Sequence, residues 1–438
     1  MKQREVNCKM RINGNGKKTL GNILWMLFDK VFKFGFSFLI TLFVANHYGA
    51  NDYGTYQYAI SIVAMFELLT YLVDATVVKK FYVDYDEKEV VLASTLARVL
   101  MSLVAGLAGT VYLLLYNGDS EYNFMFVVLL WNTLIGSIQF GITNRFEYLL
   151  KSKKIVLASD CAAFVSFGLQ LLAVYLDLPV SYIAVIALIS TTITMLITYV
   201  LYRCEFGKIV EGKLNKALFK QIIIDSLPFA VATACTTIYT KCDSIMIGEM
   251  LSKADVGIYA IAIKLISVVE IAVFPIRESV YPNLLKLNAQ DKKEYEKYYV
   301  KVSSILSWFC IVGVALSFLV LPYIFTMMSA EYTASLSVYR VYVLGSFFVY
   351  NSCLRSGHFA MTNQGKIVMI SQIVSVVLNL VVNYIAIQFI GVLGAAVATV
   401  VTQFVSLFAL NIFFAEGRKV LIWQLKALNP MHFLRKSK

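Results

Sequence analysis

Apolar runs of about 20–25 residues recur along the chain, separated by short polar breaks, and each can cross a bilayer as one helix. The runs predict twelve spanning helices, near residues 20–45, 55–78, 90–115, 124–145, 155–176, 180–202, 221–248, 257–277, 302–325, 338–357, 367–389 and 393–415. The seventh is overlong and contains Pro228, which interrupts a helix. The longest breaks, about 203–220 and 278–301, are too short and too charged to bury a core of their own. The second of them, with LNAQDKKEYEKYY, predicts a surface helix. The last stretch mixes Leu421, Ile422, Trp423 and Leu425 with Lys and Arg, a pattern that suits an amphipathic helix at the membrane interface. The fold class expected is an all-α integral membrane protein.

Composition agrees with the pattern. The 438 residues are 59% hydrophobic and 15% charged, where a soluble domain is nearer 25% charged. The net charge of +12 suggests nucleic acid until the basic residues are placed. Thirty-two of the 39 Lys and Arg residues fall in one alternating set of connections and tails, and one, Lys253, falls in the other set. By the positive-inside rule this predicts a multi-pass protein of the cell membrane with both termini in the cytosol. The charge is therefore topology, and no nucleic-acid partner is expected. Seven cysteines form no CxxC pair, and His47, His358 and His432 are too scattered for a metal site. GNGKKT at residues 14–19 lacks the first glycine and the Ser/Thr of a phosphate loop.

An internal repeat supplies the architecture. ANDYGTYQYAIS (Ala50–Ser61) aligns without gaps on KADVGIYAIAIK (Lys253–Lys264) at an offset of 203, with Asp52/Asp255, Gly54/Gly257, Tyr56/Tyr259, Ala59/Ala262 and Ile60/Ile263 identical. The same offset pairs Glu67 with Glu270. Each copy opens an even-numbered span entered from outside, so the two halves share one orientation. Parallel repeats with a substrate path between them are expected: a first six-helix lobe with its tail over 1–202, a linker over 203–220, a second lobe over 221–416 and a basic tail over 417–438. Gly54 and Gly257 are read as the ends of short outer turns. Asp52 and Asp255 are read as helix-start residues.

Six basic residues remain inside spans: Lys30, Lys33, Arg98, Lys241, Lys264 and Arg340. Ionised groups at such depth face a protein-lined or watery interior. Asp29 and Lys33 are i,i+4 and share a face with Ser37, so they form a self-neutralising pair or line a cavity. Arg98 lies where it reaches either the cavity or the inner interface, and Arg340 is close enough to the outer interface to snorkel. Thr233, Thr237, Lys241 and Ser244 mark a polar stripe on the seventh span, with Asp243 on a neighbouring face. Glu67 and Glu270 lie deep in their helices, where a carboxylate either carries a proton or is held ionised by a cation. Lys241–Asp243 and Lys264–Glu270 pairs are the local alternatives. Asn132, Gln139, Asn144, Asn379 and Asn383 serve sugar hydroxyls or helix–helix hydrogen bonds. Embedded cations suit an anionic cargo, and a pyrophosphate offers them several acceptor oxygens.

The chain resembles the oligosaccharide flippases, the polysaccharide-transport branch of the superfamily that also holds multidrug exporters and lipid II flippases. The resemblance rests on HYGANDYGTYQYAIS, on KCDSIMIGEMLSKADVGIYAIAIKL and on LNLVVNYIAIQFIGVLGAAVAT. It implies a transporter without enzymatic activity that moves undecaprenyl-diphosphate-linked oligosaccharide units to the outer leaflet by alternating access, for capsule, O-antigen or exopolysaccharide assembly beside other assembly proteins. A multidrug exporter or lipid II flippase is the alternative within the superfamily, and a polysaccharide polymerase or ligase the alternative outside it. Lys30, Lys33, Lys241, Lys264 and Arg98 are then the candidate contacts for diphosphate or sugar. Asp29, Glu67, Glu270 and Asp243 are candidates for ion coupling, to H+ or Na+, or for charge pairing. No other cofactor or metal is implied.

Overall fold

The computed structural model describes residues 16–116, 118–207, 214–271 and 273–431, with side chains from Phe34 onward except Phe274. Sixteen α-helices follow one another among them. They are α1 (Gly16–Glu67), α2 (Ala75–Phe81), α3 (Glu87–Leu115), α4 (Ser120–Ile138), α5 (Phe140–Tyr148), α6 (Ser152–Tyr175), α7 (Ser181–Phe206) and α8 (Lys216–Met250) in the first half and its junction. The second half contributes α9 (Lys253–Glu270), α10 (Val273–Gln290), α11 (Lys292–Phe325), α12 (Thr333–Asn351), α13 (Arg355–Met361), α14 (Gly365–Ile390), α15 (Val392–Leu407) and α16 (Ala415–Lys426).

Helix starts follow local chemistry. Asp74, Asp86, Asp119, Asn215, Ser252 and Asp291 each accept a backbone N–H at the start of α2, α3, α4, α8, α9 and α11. Ser252 and Asp255 make a reciprocal box, in which the Asp255 N–H donates to Ser252 Oγ (3.2 Å) and that hydroxyl donates to Asp255 Oδ2 (2.6 Å). Asp255 thus has the helix-start role expected of it.

Every predicted span meets helix. Nine stretches among the described residues are long and apolar enough to cross a membrane alone. The first of these, 34–81, holds two expected spans, because α1 folds at Gly49 (φ 76°, ψ 173°) without a loop. That left-handed φ favours glycine. The expected eighth span meets α9 and α10, which reach that length only together across a bend of 41°, and the expected tenth meets α12, which is not one of the nine. The surface helix expected within 278–301 is instead divided between the end of α10 and the start of α11, because Asp291 caps a new helix there. The amphipathic tail forms α16, whose Val420, Trp423 and Gln424 are buried.

The expected role of Gly54 and Gly257 as turn residues is corrected. Both lie inside helices, α1 and α9, and face each other across the lobes. A Cβ on Gly54 would come 1.8 Å from the Lys253 carbonyl oxygen, and one on Gly257 would come 2.2 Å from that of Ala50. The repeat places its two glycines where its two copies touch.

Buried apolar side chains gather in three clusters. The largest lies at the Gly54 end of the bundle and joins both lobes, from Ile40, Tyr58, Phe126 and Ile183 to Tyr259, Leu265, Tyr339 and Ala395. At the other, basic end the lobes have separate cores. One holds Val77, Val90, Phe146 and Tyr202, and the other Leu284, Tyr299, Leu354 and Trp423. Leu218 and Ile222 of α8 belong to the first of these. Helix α8 therefore packs on the first lobe before Pro228 and on the second lobe by Asp243.

Candidate functional site: the cleft between the lobes

Lobes that share one core at one end and have separate cores at the other leave a cleft between them, opening at the basic end. A seam of hydrogen bonds closes the opposite end. The Ala50 N–H donates to Glu331 Oε2 (2.7 Å), the Ser329 N–H to Asn46 Oδ1 (2.6 Å), and the Tyr332 hydroxyl to the Ala45 carbonyl (3.0 Å). Tyr58 donates to Glu249, while Lys253 lies over the Tyr58 ring and donates to the Gly248 carbonyl (3.1 Å). None of Glu331, Glu249 or Tyr58 stands out in the sequence. The usable signal is the repeat itself for two of them, since Tyr58 lies within its first copy and Glu249 just before its second; Glu331 lies near neither.

The candidate charges divide into three environments. Lys241 on α8 interacts electrostatically with Glu67 on α1, which also interacts with Arg98 on α3. This brings two groups of the first lobe to one of the second. Lys264 on α9 points at α1, with its Nζ 3.5 Å from Ser37 Oγ and 5.6 Å from the Phe34 ring centroid. Ser37 lies on the helix face of Asp29 and Lys33 by i,i+4 spacing. Asp29, Lys30 and Lys33 themselves have side chains outside the described residues.

Arg98 is tied down. Its Nη1 donates to the carbonyls of Thr70 (2.7 Å) and Val73 (2.8 Å), which end the 3-10 turn Leu68–Leu72 after α1. Its guanidinium also lies 4.5 Å from the Phe140 ring centroid. Arg98 holds the broken end of the second span by donating to the Val73 carbonyl, which has left the helical ladder, and to the Thr70 carbonyl, which also accepts the Val73 N–H (3.2 Å).

Asp243 faces away from Lys241, into the core of the second lobe, and is 4% exposed. It accepts from Tyr259, from Asn383 Nδ2 (2.7 Å) and from Thr399 Oγ1 (3.0 Å). Asn379 Oδ1 accepts from the Cys242 thiol (2.9 Å) beside it. Asn379 and Asn383 are thus used for contacts between helices. Asp243 meets no Lys or Arg among the described residues, so the expected Lys241–Asp243 neutralisation is absent there. Glu270 accepts from Ser346 Oγ (2.6 Å) and is not paired with Lys264. The described residues hold no group of three or more His, Cys, Asp or Glu side chains placed to bind a metal.

Comparison with known proteins decides the family. The sequence pattern of the family described as "Polysaccharide biosynthesis protein" matches residues 19–288, more than half of the chain. The chain belongs to this family. No curated protein sequence matches it. Among solved structures, the fold of this family member is similar to an inward-facing multidrug resistance MATE transporter of the MOP superfamily, with TM-score 0.69, 16% identity, 89% of this chain and 95% of that one. It is also similar to the lipid II flippase MurJ in an inward closed conformation, with TM-score 0.65, 16% identity, 92% of this chain and 91% of that one. A third likeness is to the MATE multidrug transporter DinF-BH, with TM-score 0.62, 13% identity, 94% of this chain and 98% of that one. The chain is a multi-pass membrane protein of the two-lobe MATE-like fold and a member of the polysaccharide biosynthesis protein family.

Proposed function

We propose that the protein is a flippase for polyprenyl-diphosphate-linked oligosaccharide, moving it from the cytosolic to the outer leaflet by alternating access, with no covalent chemistry. The observation that carries this reading is the placement of two lysines of the second lobe beside the first, Lys264 with its Nζ 3.5 Å from Ser37 Oγ and Lys241 within electrostatic reach of Glu67. A diphosphate is a compact multiple anion, and ammonium groups in a low-dielectric cleft attract it strongly. The lipid tail stays in the bilayer while the headgroup crosses between the lobes. The basic end, where the cleft opens, is the cytosolic end by charge bias, so cargo enters there and the Gly54 seam is the outer gate. Lys30 and Lys33 of α1, on the helix that Lys264 faces, complete the cationic set with Asp29 beside them.

Alternating access requires a free-energy source, and Asp243 is the coupling group in this reading. A carboxylate buried among neutral donors, without a cation among its described neighbours, is costly to hold ionised. It takes up H+ or Na+, and the bound ion alters how α8 packs against α9, α14 and α15. Glu67 and Glu270 stand at the middle of the bundle as secondary candidates.

Reconstitution in liposomes tests this directly. Translocation of a diphosphate-linked oligosaccharide by the wild type is expected, falling sharply in a Lys241→Gln/Lys264→Gln double variant. Absence of wild-type translocation, with a lipid II analogue or a cationic dye transported instead, overturns the cargo assignment.

A further inference from the structure

Two apolar grooves open on the flanks of the protein, away from the cleft. One, of about 190 Å3, lies between α3 and α4; the other, of about 370 Å3, lies between α11 and α12. They are one groove built twice. Ser102, Gly106 and Thr110 in the first correspond to Cys310, Val314 and Phe318 in the second, each 208 positions later. Leu130 and Trp131 likewise correspond to Val343 and Leu344, each 213 positions later. The walls are open to the surroundings, with Leu107 70%, Trp131 56% and Leu344 52% exposed. At the depth of spanning helices only lipid hydrocarbon can cover such a surface.

Among these corresponding positions, one on the rim differs in charge. Val127 lines the first, and the residue 213 positions later is Arg340, which is exposed. Arg340 shares a helix stripe with Val343, Leu344 and Phe347, at i, i+3, i+4 and i+7. It stands seven residues after the start of α12 at Thr333, roughly 10 Å along the axis. Phe318, on the antiparallel α11, stands seven residues before that helix ends at Phe325, at the same level. A helical side chain leans toward its N-terminus, so the guanidinium of Arg340 leans toward the headgroups. Arg340 makes no ion pair with a described residue.

We propose that the α11–α12 groove is a site for an anionic phospholipid, with one acyl chain along the groove and the phosphate on Arg340. The guanidinium offers paired donors that match phosphate oxygens, and no described residue neutralises it. The α3–α4 groove, with Val127 in that place, takes acyl chains without regard to headgroup charge. The inference uses only the bilayer position of these helices and is independent of the cargo.

Native mass spectrometry of the full chain in detergent, with phosphatidylglycerol or phosphatidylcholine added at equal concentration, tests the site. The wild type should retain phosphatidylglycerol preferentially. Arg340→Val should remove that preference, a loss of about fivefold for one basic contact, and Arg340→Lys should keep part of it. Adding Val127→Arg to Arg340→Val should restore the preference through the first lobe's groove. Ala315→Phe, which fills the second groove, should lower retention while Arg340 stays in place; if that variant misfolds, Val314→Phe serves. Equal preference in wild type and a folded Arg340→Val overturns the proposal. So does retention that depends on Arg340 and is unaffected by filling the groove, since that would be charge attraction alone.

Discussion

Gly54 of α1 and Gly257 of α9 meet with no room for a side chain on either. A Cβ on Gly54 would come 2.8 Å from the Gly257 nitrogen as well as 1.8 Å from the Lys253 oxygen. The atoms it would strike are backbone, which cannot rotate aside. Gly54→Leu or Gly257→Leu should therefore force the lobes apart at this end, at a cost of about 1–3 kcal/mol for overpacking. Spin labels on Asn51 and Ser252 should report a longer distance in either variant. An unchanged distance in a folded variant would mean that the seam absorbs the volume locally.

Beside that contact, Glu331 accepts the N–H of Ala50 across the lobes (2.7 Å) and lies against Gly49, where α1 folds back. Glu331→Ala removes the acceptor from a backbone group that has left its helical ladder. A hydrogen bond to a charged acceptor at a partly wet site contributes about 1 kcal/mol, so the ratio of closed to open seam should fall about fivefold. The same pair of spin labels should show a second, longer distance population. Glu331→Gln should fall between the two.

Arg98 should behave as a structural residue. Arg98→Gln removes donors from the Thr70 and Val73 carbonyls. The cost expected is about 2 kcal/mol, because those carbonyls lie where water is scarce. Thermal unfolding in detergent should show a lowered Tm, while affinity for a diphosphate-bearing cargo headgroup should stay near that of the wild type. Lys241→Gln should give the converse: lost affinity with little change in Tm.

Asp243 separates coupling from folding. Asp243→Asn preserves shape and can still accept from Tyr259 and Thr399, but it binds neither H+ nor Na+. Translocation should lose its dependence on an imposed ion gradient. Asp243→Leu leaves the donors of Tyr259, Asn383 and Thr399 without an acceptor, at about 1–3 kcal/mol for each buried group. That variant should fold poorly. Gradient dependence that survives in Asp243→Asn would move the coupling role to Glu67 or Glu270.

How much of this was legible in the sequence depended on the range of the interaction. Span positions are set by the length and polarity of single helices, and twelve apolar runs met helix. The repeat at Gly54 and Gly257 was visible, but its meaning was not, since a turn and a helix–helix contact both favour a residue without Cβ. Partners across the lobes were beyond reach. The placing of Glu67 within electrostatic reach of Lys241 and Arg98, and the turning of Asp243 toward Asn383 and Thr399, depend on helix rotation, which hydropathy leaves undetermined in a helix apolar on most faces. Glu331 carries no signal of its own, because nothing local distinguishes a carboxylate that meets a backbone N–H 281 residues away.

A pH effect outside the membrane follows from Asp291, which begins α11. Its Oδ1 accepts the N–H groups of Lys293 (2.8 Å) and Glu294 (3.1 Å). Those backbone bonds, Glu294 first, hold its carboxyl below the ordinary Asp value of 3.8, helped by the charges of Lys297 and Lys293. A carboxylate with a depressed folded pKa contributes stability above its unfolded pKa and loses it as pH falls through the folded one. The first turn of α11 should therefore be protected at about pH 5 and progressively open toward about pH 3. Hydrogen exchange at Lys293 and Glu294, expressed as protection factors, measures this. Asp291→Asn keeps a neutral cap, so its protection should be lower at pH 5 and flat across the range. If the wild type were equally flat, the cap would not be holding this turn.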